Sequence, residues 1–341
     1  MTASPAGRLS RSAYGIQILR ELEMESESDA GLYIVEGLIP AKSVNIAVGD
    51  SGLGKSAWAY QLALCVAGGI PFLGYAVLKG SVLYIDLENG KAGIVRICRS
   101  LVQHLQLSGW PENFFSITSD EHLHRMRELL KECKPVLVIV DSLRAYRPDA
   151  EEKTRHAASM MTELRKLARE FGTAFLLVHH IRKPGEDGPP ALEGERVMAW
   201  LNMACGARAL INQSDVRIAF DVSAGARRVA ATRSKIGAGD DVGLVVKGFE
   251  RLRGEFGPLF LTRDCNDEGE ILGYRRMTGV ELLFNAEQQA AFARLPQEFS
   301  FKEAKHIYER QDQATSDFLQ KCVRVGLLKP CGHGRYARVA E

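Results

Sequence analysis

Eight consecutive residues of this chain have the spacing of a phosphate-binding loop. The segment Gly49-Asp50-Ser51-Gly52-Leu53-Gly54-Lys55-Ser56 fits the pattern G-x-x-x-x-G-K-[ST]. Its glycines allow backbone N–H groups to close around phosphate oxygens, and a helix that starts at its end adds positive electrostatic field. We expect Lys55 to reach the β- and γ-phosphates of a nucleoside triphosphate and Ser56 to hold Mg²⁺. The segment therefore predicts binding of ATP together with Mg²⁺.

The flanking residues predict the elements that this loop needs. Val44, Ile46 and Val48 alternate with other residues, which is typical of a strand running into Gly49. The apolar residues that follow Ser56 predict a helix that ends at Gly68-Gly69. A strand, a glycine-rich loop and a helix in this order support a phosphate-binding function over a chance glycine loop.

Hydrolysis of a triphosphate also needs an acid near the metal ion and a group that positions the attacking water. Asp141 follows the apolar run Val136–Val140, so we expect it at the carboxyl edge of a sheet beside the loop, where it holds Mg²⁺ directly or through water. A helix cap is the alternative role for Asp141. Glu88 ends the run Ser81–Leu87, which we expect to neighbour the strand before the loop, and we expect Glu88 to polarise the water. Asp86 would point to the same face and is the alternative base.

Two adjacent histidines end the apolar run Thr173–Val178. Successive side chains of a strand point to opposite faces, so at most one of His179 and His180 faces the phosphates. We expect His180 to contact the γ-phosphate, with simple packing as the alternative.

The order of the remaining segments predicts an α/β fold. Apolar strands alternate with helices from about residue 31 to Val178, which indicates a mainly parallel sheet covered on both faces. A loop rich in glycine and proline, Lys183–Gly194, follows. Beyond it, four segments predict consecutive strands that extend the sheet in antiparallel fashion: Asp215–Val222, Arg227–Thr232, Val242–Phe249 and Pro258–Thr262.

The tail predicts a separate winged helix-turn-helix. Ala286–Leu295, Phe301–Arg310 and Thr315–Val325 have helical patterns, and Leu327–Arg338 has the pattern of a hairpin. Its basic residues are Lys321, Arg324, Lys329, Arg335 and Arg338. We expect them to contact a DNA backbone, with protein contact, a packing lid or a solvated face as alternatives. The predicted domains are an N-terminal arm (1–30), an ATPase domain (31–284) and the winged helix (285–341).

Composition limits the class of protein. The 341 residues are 46% hydrophobic and 25% charged, with a net charge of +2, so any nucleic-acid site is a local patch. No apolar run reaches the roughly 18 residues of a membrane span, and the first residues lack the apolar core of a signal peptide. The seven cysteines are scattered without a C-x-x-C pair. We therefore expect a cytoplasmic protein in a reducing compartment, without a membrane partner.

Five segments together resemble the RecA-like ATPases of the plasmid RepA helicase type. They are GDSGLGKS at 49–56, YIDLENG at 84–90, VIVDSLRAY at 138–146, LLVHHIRK at 176–183 and GARALINQSDVRIAF at 206–220. The resemblance covers roughly residues 31–250. It implies a RecA-like P-loop fold and a homo-oligomeric ring or filament, with a hexamer as the candidate ring size and ATP at each interface.

The same resemblance implies roles for residues outside the loop. Arg208 matches the position of an arginine finger that completes a neighbouring subunit's site. Arg233-Ser234-Lys235 is a second candidate, although its order is Arg-x-Lys instead of the usual Lys-x-Arg. The segment 183–205 corresponds to the loop that faces a central channel and single-stranded DNA. Lys183 and Arg196 would contact phosphates there, against the repulsion of four acidic residues: Glu186, Asp187, Glu193 and Glu195.

Three functions remain in competition at this point. The leading one is an oligomeric, DNA-stimulated ATPase of plasmid or mobile-element replication or repair, with 5′–3′ helicase activity as its strongest form. The second is a DNA-binding regulator or helicase loader, in which ATP controls assembly without unwinding. The third, a metabolic P-loop kinase, is disfavoured because no segment has the pattern of an acceptor-substrate lid.

Overall fold

The computed structural model describes residues 32–121, 123–181, 191–192, 195–204, 208–222, 243–266, 270–278, 280–281, 284–324, 327–332 and 334–339. Its strands are β1 Tyr33–Val35, β2 Ile39–Pro40, β3 Val44–Gly49, β4 Val82–Asp86, β5 Phe114–Ile117, β6 Leu137–Asp141, β7 Ala174–His180, β8 Val216–Val222, β9 Leu244–Glu250, β10 Gly254–Cys265, β11 Ile271–Arg276, β12 Glu298–Ser300, β13 Leu328–Gly332 and β14 Arg335–Arg338. Its α-helices are α1 Lys55–Gly68, α2 Lys91–His104, α3 Met126–Cys133, α4 Leu143–Tyr146, α5 Pro148–Glu152, α6 Thr154–Phe171, α7 Val197–Trp200, α8 Arg208–Gln213, α9 Ala286–Arg294, α10 Phe301–Tyr308 and α11 Asp312–Arg324.

A nine-stranded sheet forms the centre of the molecule, in the order β11-β10-β9-β8-β3-β7-β6-β4-β5. The strands from β8 to β5 pair in parallel, and β9, β10 and β11 add to this sheet in antiparallel fashion. The predicted fold class, a mainly parallel sheet with an antiparallel extension, is confirmed.

Three details of the predicted sheet differ from the structure. The expectation that the strand before Glu88 neighbours the P-loop strand is wrong, because β6 and β7 lie between β4 and β3. Parallel strands are joined by crossovers, so neighbours along the chain need not be neighbours in the sheet. Strand β8 pairs in parallel with β3 and is not part of the antiparallel extension, while β11 was not predicted. The predicted strand 227–232 lies outside the described residues.

Hydrophobic residues cover both faces of this sheet. Helices α1 and α2 pack on one face, where Trp58, Tyr60 and Tyr84 are buried. Helices α6 and α8 pack on the other, around residues such as Met161 and Leu210. A 3₁₀ turn at Leu123–Arg125 precedes α3. Within the described ranges, every helix is too short or too polar to cross a bilayer.

The last part of the chain has a hydrophobic cluster of its own. Helices α9, α10 and α11 and a three-stranded sheet in the order β12-β14-β13 enclose Phe299, Phe318 and Leu319. Capping boxes at Asn285 and Ser300 start α9 and α10, because each side chain accepts a hydrogen bond from the third backbone N–H of the helix. The three helices and the β13–β14 hairpin lie where the sequence predicts them, and β12 was not predicted. A winged helix-turn-helix remains the prediction for this unit.

Candidate nucleotide site

The loop between β3 and α1 has the backbone that its glycines permit. Gly52 and Gly54 have φ angles of 76° and 86°, in the left-handed region that favours glycine. A Cβ atom at Gly54 would lie 2.0 Å from the Tyr274 hydroxyl oxygen, which donates a hydrogen bond to the Gly54 carbonyl at 2.9 Å. A side chain at this position would therefore both strain the loop and displace its contact with β11.

Lys55 is the first residue of α1, and its side chain is nearly buried. Its ammonium group donates hydrogen bonds to the carbonyls of Gly49 (3.0 Å) and Asp50 (2.7 Å). Burial lowers its pKa to about 8, against the opposing attraction of Asp141, Asp50 and Glu88. Lys55 therefore remains mostly cationic at neutral pH and lies directly over the loop.

His180 is level with Gly49 in the β3–β7 register. Its Nδ1 lies 3.4 Å from both the Lys55 Nζ and the Ser51 Oγ, and its Nε2 lies 4.0 Å from a Glu88 carboxylate oxygen. Burial, followed by the charge of Lys55, lowers its pKa to about 4, so the imidazole is neutral at pH 7. Of the two adjacent histidines, the structure thus places His180, the one expected to face the phosphates, at the loop.

The neighbouring His179 lies on the opposite face of β7. Its side chain is fully buried, with Nδ1 3.5 Å from a Glu151 carboxylate oxygen. This location fits packing beneath α5, away from the loop.

Asp141 ends β6 and points to the sheet face on which α1 packs. Its carboxylate accepts hydrogen bonds from the hydroxyls of Ser56 and Tyr84, the latter at 2.8 Å. Burial, together with the smaller effect of the charges of Asp86 and Glu88, raises its pKa to about 6 despite these two hydroxyls. A hydroxyl and a carboxylate in contact, with further carboxylates near them, suit the oxygen-ligand preference of Mg²⁺. The two residues predicted to hold this ion therefore do lie together.

Asp86 is occupied by structural contacts. It is fully buried, and it accepts hydrogen bonds from the Tyr60 hydroxyl (2.7 Å) and from the backbone N–H groups of Glu88 (3.0 Å) and Asn89 (2.7 Å). The carboxylate thus shapes the turn after β4. This role disfavours Asp86 as the alternative base.

Glu88 follows that turn with its side chain about half exposed. Its carboxylate accepts a hydrogen bond from the hydroxyl of Ser142, which follows Asp141 through a cis peptide bond. Although β4 lies three places from β3, the turn at Asp86 still brings Glu88 to His180. The arrangement leaves a carboxylate at the open side of the loop, where an attacking water would enter.

Comparison with known families gives one match at this site. A family model described as an AAA domain matches residues 21–186, which include the phosphate-binding loop, Glu88, Asp141 and His180. These findings support a P-loop ATPase. Comparison with curated proteins gives no match. Among solved structures, a KaiC-like protein from the hyperthermophilic archaeon Pyrococcus horikoshii OT3 is similar, with 14% identity and a TM-score of 0.45, over 73% of this chain and 98% of that one.

Other predicted residues of the ATPase site are not brought to the loop. Arg208 is exposed at the start of α8, which packs with α6 on the sheet face opposite α1. Arg196 is exposed just before α7. The remaining predicted contacts, Lys183 and Arg233-Ser234-Lys235, lie outside the described residues.

The structure adds residues that the sequence reasoning missed. Tyr84 and Ser142 contact the two acidic positions, and Tyr274 contacts the loop. The buried Arg263 lines a cavity of about 60 Å³ together with Asp50, Ser51 and Gly52, among others. A tyrosine inside an otherwise apolar strand was a usable signal for Tyr84, since a buried hydroxyl needs a hydrogen-bond partner.

Proposed function

We propose that this protein is an oligomeric ATPase stimulated by single-stranded DNA, of the RepA replicative-helicase type. The observation that carries the proposal is the meeting of Lys55, His180, Glu88 and the Ser56–Asp141 pair at one sheet edge. These groups correspond to a phosphate clamp, a γ-phosphate contact, a base and a metal site. A P-loop that only binds nucleotide would not need a half-exposed carboxylate 4.0 Å from the histidine beside the loop lysine.

Each residue then has a defined task. Lys55 and the loop N–H groups bind the phosphates, and Glu88 accepts the proton of the attacking water. His180, being neutral, would donate one hydrogen bond to the γ-phosphate without adding charge. Ser56 and Asp141 would hold Mg²⁺, which neutralises phosphate charge when bound. Arg208 of a neighbouring subunit would supply the remaining positive charge.

The C-terminal unit supports a DNA role through two of its five predicted basic contacts. Lys329 and Arg335 are exposed on the β13–β14 hairpin, as a wing that contacts phosphates requires. The ammonium of Lys321 lies 4.9 Å from the centre of the Phe284 ring. Arg338 lies over Phe292 and donates to the Leu295 carbonyl. The Arg324 side chain lies outside the described residues.

The second candidate function is an ATP-controlled regulator or loader without unwinding activity. It is favoured by the charge of α11, which would be the recognition helix. Asp312 and Asp317 are exposed in its first half, where they would repel DNA phosphates. In this case the unit would contact protein or only weakly contact DNA.

ATP hydrolysis with and without single-stranded DNA tests the proposal. We expect a several-fold stimulation by DNA. We also expect a loss of about 100-fold or more in Lys55→Ala, because this change removes the charged donor to the phosphates. Lys131→Ala is the matched control, since Lys131 is exposed on α3. The double variant Lys329→Ala/Arg335→Ala should bind DNA more weakly while it hydrolyses ATP at the basal rate.

The outcomes separate the candidate functions. DNA-stimulated hydrolysis with unwinding of a forked substrate supports the helicase. Lys55-dependent hydrolysis that ignores DNA favours the regulator or loader, and phosphate transfer to an acceptor would identify a kinase. Hydrolysis that does not depend on Lys55 would contradict the proposed site.

A further inference from the structure

Two buried tyrosines link the loop helix to the acidic residues of the site. Tyr60 on α1 and Tyr84 on β4 stack face to face, with ring centroids 3.9 Å apart and planes 3° apart. Each hydroxyl donates to a different carboxylate: Tyr60 to Asp86 at 2.7 Å and Tyr84 to Asp141 at 2.8 Å. The Phe114 ring lies beside this pair, 6.4 Å from Tyr60 and 6.3 Å from Tyr84. Both tyrosines are fully buried, so close packing restrains the direction of their hydroxyls.

The strand register explains how Tyr84 reaches Asp141. Asp86 and Asp141 are directly paired between β4 and β6, and Tyr84 is paired with Ile139. Tyr84 lies two residues before Asp86 and thus on the same face, diagonal to Asp141. Aromatic side chains are long enough to span such diagonals, so the Tyr84 hydroxyl reaches the Asp141 carboxylate on the neighbouring strand.

The two carboxylates depend on their tyrosines to different degrees. Asp86 also accepts hydrogen bonds from the backbone N–H of Glu88 and from the backbone and side-chain N–H groups of Asn89. Asp141 has the hydroxyls of Tyr84 and Ser56. If Ser56 turns to a metal ion, Tyr84 remains as the group that fixes the Asp141 carboxylate. Removing one hydroxyl should therefore disturb Asp141 far more than Asp86.

We propose that Tyr84 is a positioning residue that orients Asp141 toward Mg²⁺. The Tyr84 hydroxyl holds Oδ2 of the carboxylate that also contacts the Ser56 hydroxyl, and these two residues would hold the ion. This inference rests on the proposed nucleotide function, and it gives a task to a residue other than the loop and acidic residues assigned above. Groups that orient metal ligands from the outer shell typically change metal affinity by 10- to 100-fold when they are lost.

Tyr84→Phe and Tyr60→Phe form a matched pair of test variants. Each removes one buried hydroxyl that donates to a buried carboxylate and keeps the stacked ring. Binding of a fluorescent ATP analogue to the full chain is titrated with Mg²⁺, and the Mg²⁺ concentration at half-saturation is read without turnover. We expect this concentration to rise by about tenfold in Tyr84→Phe and to stay unchanged in Tyr60→Phe. Binding of the analogue in excess EDTA should be equal in all three proteins.

The design separates failure of the inference from failure of the proposed function. Wild-type protein whose analogue binding ignores Mg²⁺ would contradict the proposed metal site itself. If wild-type binding needs Mg²⁺, two results would overturn the role of Tyr84. One is the same Mg²⁺ concentration at half-saturation in wild type and Tyr84→Phe. The other is an equal rise of this concentration in Tyr84→Phe and Tyr60→Phe. Circular dichroism identifies a variant that fails to fold. A crystal structure of the wild-type protein with Mg²⁺ and nucleotide tests the same point without a variant, because a Tyr84 hydroxyl detached from Asp141 would contradict the inference.

Discussion

At the scale of single residues, His180 has an unusual set of neighbours. The ammonium of Lys55 and the hydroxyl of Ser51 lie at its Nδ1, and the Glu88 carboxylate lies beyond its Nε2. His179 and Asp50 add smaller electrostatic contributions to its pKa. Because burial and Lys55 together outweigh the two carboxylates, the ring stays neutral through the physiological range. A neutral ring can change its hydrogen bonds when the γ-phosphate leaves, without a change in charge.

This depressed pKa predicts a pH-dependent stability. The unfolded chain takes up a proton at His180 near pH 6.5, whereas the folded chain does so only near pH 4. As pH falls through this window the unfolded state binds more protons, so the free energy of unfolding decreases. In wild type we expect the free energy of unfolding to fall by about 1–2 kcal/mol across this window because of His180, a value reduced for the partial exposure of the ring. This part of the fall should be absent in His180→Asn. Urea unfolding across the window measures it.

His306→Asn is the control for this measurement. His306 is exposed on α10, in a different hydrophobic unit from the nucleotide site. The His306→Asn variant should have the same pH dependence of the free energy of unfolding as wild type. A His180→Asn protein with the same slope between pH 6.5 and pH 4 as wild type would show that the histidine is protonated normally in the folded chain.

At the scale of elements, β11 supports the nucleotide loop from the far edge of the sheet. The buried Gln61 of α1 bonds to both backbone groups of Tyr274, accepting from its N–H at 2.7 Å and donating to its carbonyl at 2.9 Å. The Tyr274 hydroxyl then donates to Gly54. The edge strand is thus fixed to the helix whose first residue is Lys55. The sheet must curl for this contact, because β11 lies four places from β3.

Gln61→Leu tests this support. Leucine is close to glutamine in size but leaves the N–H and carbonyl of Tyr274 without their side-chain partner in a buried position. We expect a loss of about 2–4 kcal/mol in the free energy of unfolding, and a several-fold weaker binding of nucleotide because Tyr274 shifts away from Gly54. Urea unfolding and a titration with a fluorescent ATP analogue measure the two effects.

Gln289→Leu is the corresponding change in the C-terminal unit. Gln289 donates to the Phe284 carbonyl at 2.8 Å, so its loss should lower stability without changing nucleotide affinity. Unchanged nucleotide binding in a folded Gln61→Leu protein would mean that β11 stabilises the fold but not the loop.

The strands of the central sheet show which parts of the fold could be predicted from the sequence. Apolar runs of five to seven residues predicted β4, β6 and β7, because strands buried on both faces have a continuous apolar pattern. The alternation of Val44, Ile46 and Val48 predicted β3. Strand order was not predictable in the same way, since a crossover helix can carry the chain past any number of strands. The error in placing β4 beside β3 has this cause. Strand β11 was missed because Gly273, Arg275 and Arg276 interrupt its apolar pattern.

The site was predictable where a motif or a strand end fixes the chemistry. Lys55, Asp141 and His180 follow from a glycine loop or from an apolar run, and the structure places them together. Tyr84, Ser142 and Gln61 were not predicted, because their roles depend on which residue lies across from them on another strand or helix. Register and helix packing supply that information, and neither can be derived from the composition of a single segment.

At the scale of the whole molecule, the proposed site is open on the side of Glu88, and the proposed finger lies elsewhere. Arg208 is exposed on the face that carries α6, while the loop helix α1 packs on the other face. An arginine in this place cannot easily reach the phosphates of its own subunit. A head-to-tail contact between identical subunits would bring it to the next site around a ring.

Mixing two inactive variants tests this arrangement. Lys55→Ala subunits lack the phosphate lysine but carry Arg208, and Arg208→Ala subunits have the reverse defect. If the arginine acts across the interface, a random mixture restores about a quarter of the sites, because half of the subunits supply each side of a head-to-tail contact. A finger of this kind contributes about 10³- to 10⁵-fold to the rate, so the recovered hydrolysis stands well above either variant alone. A mixture of Lys55→Ala with Arg155→Ala, which changes an exposed arginine of α6, controls for dilution by Lys55→Ala subunits and should show about half of the Arg155→Ala activity. Activity of the Lys55→Ala and Arg208→Ala mixture that stays at the average of its two components, in subunits that are shown to exchange, would remove Arg208 from the proposed site.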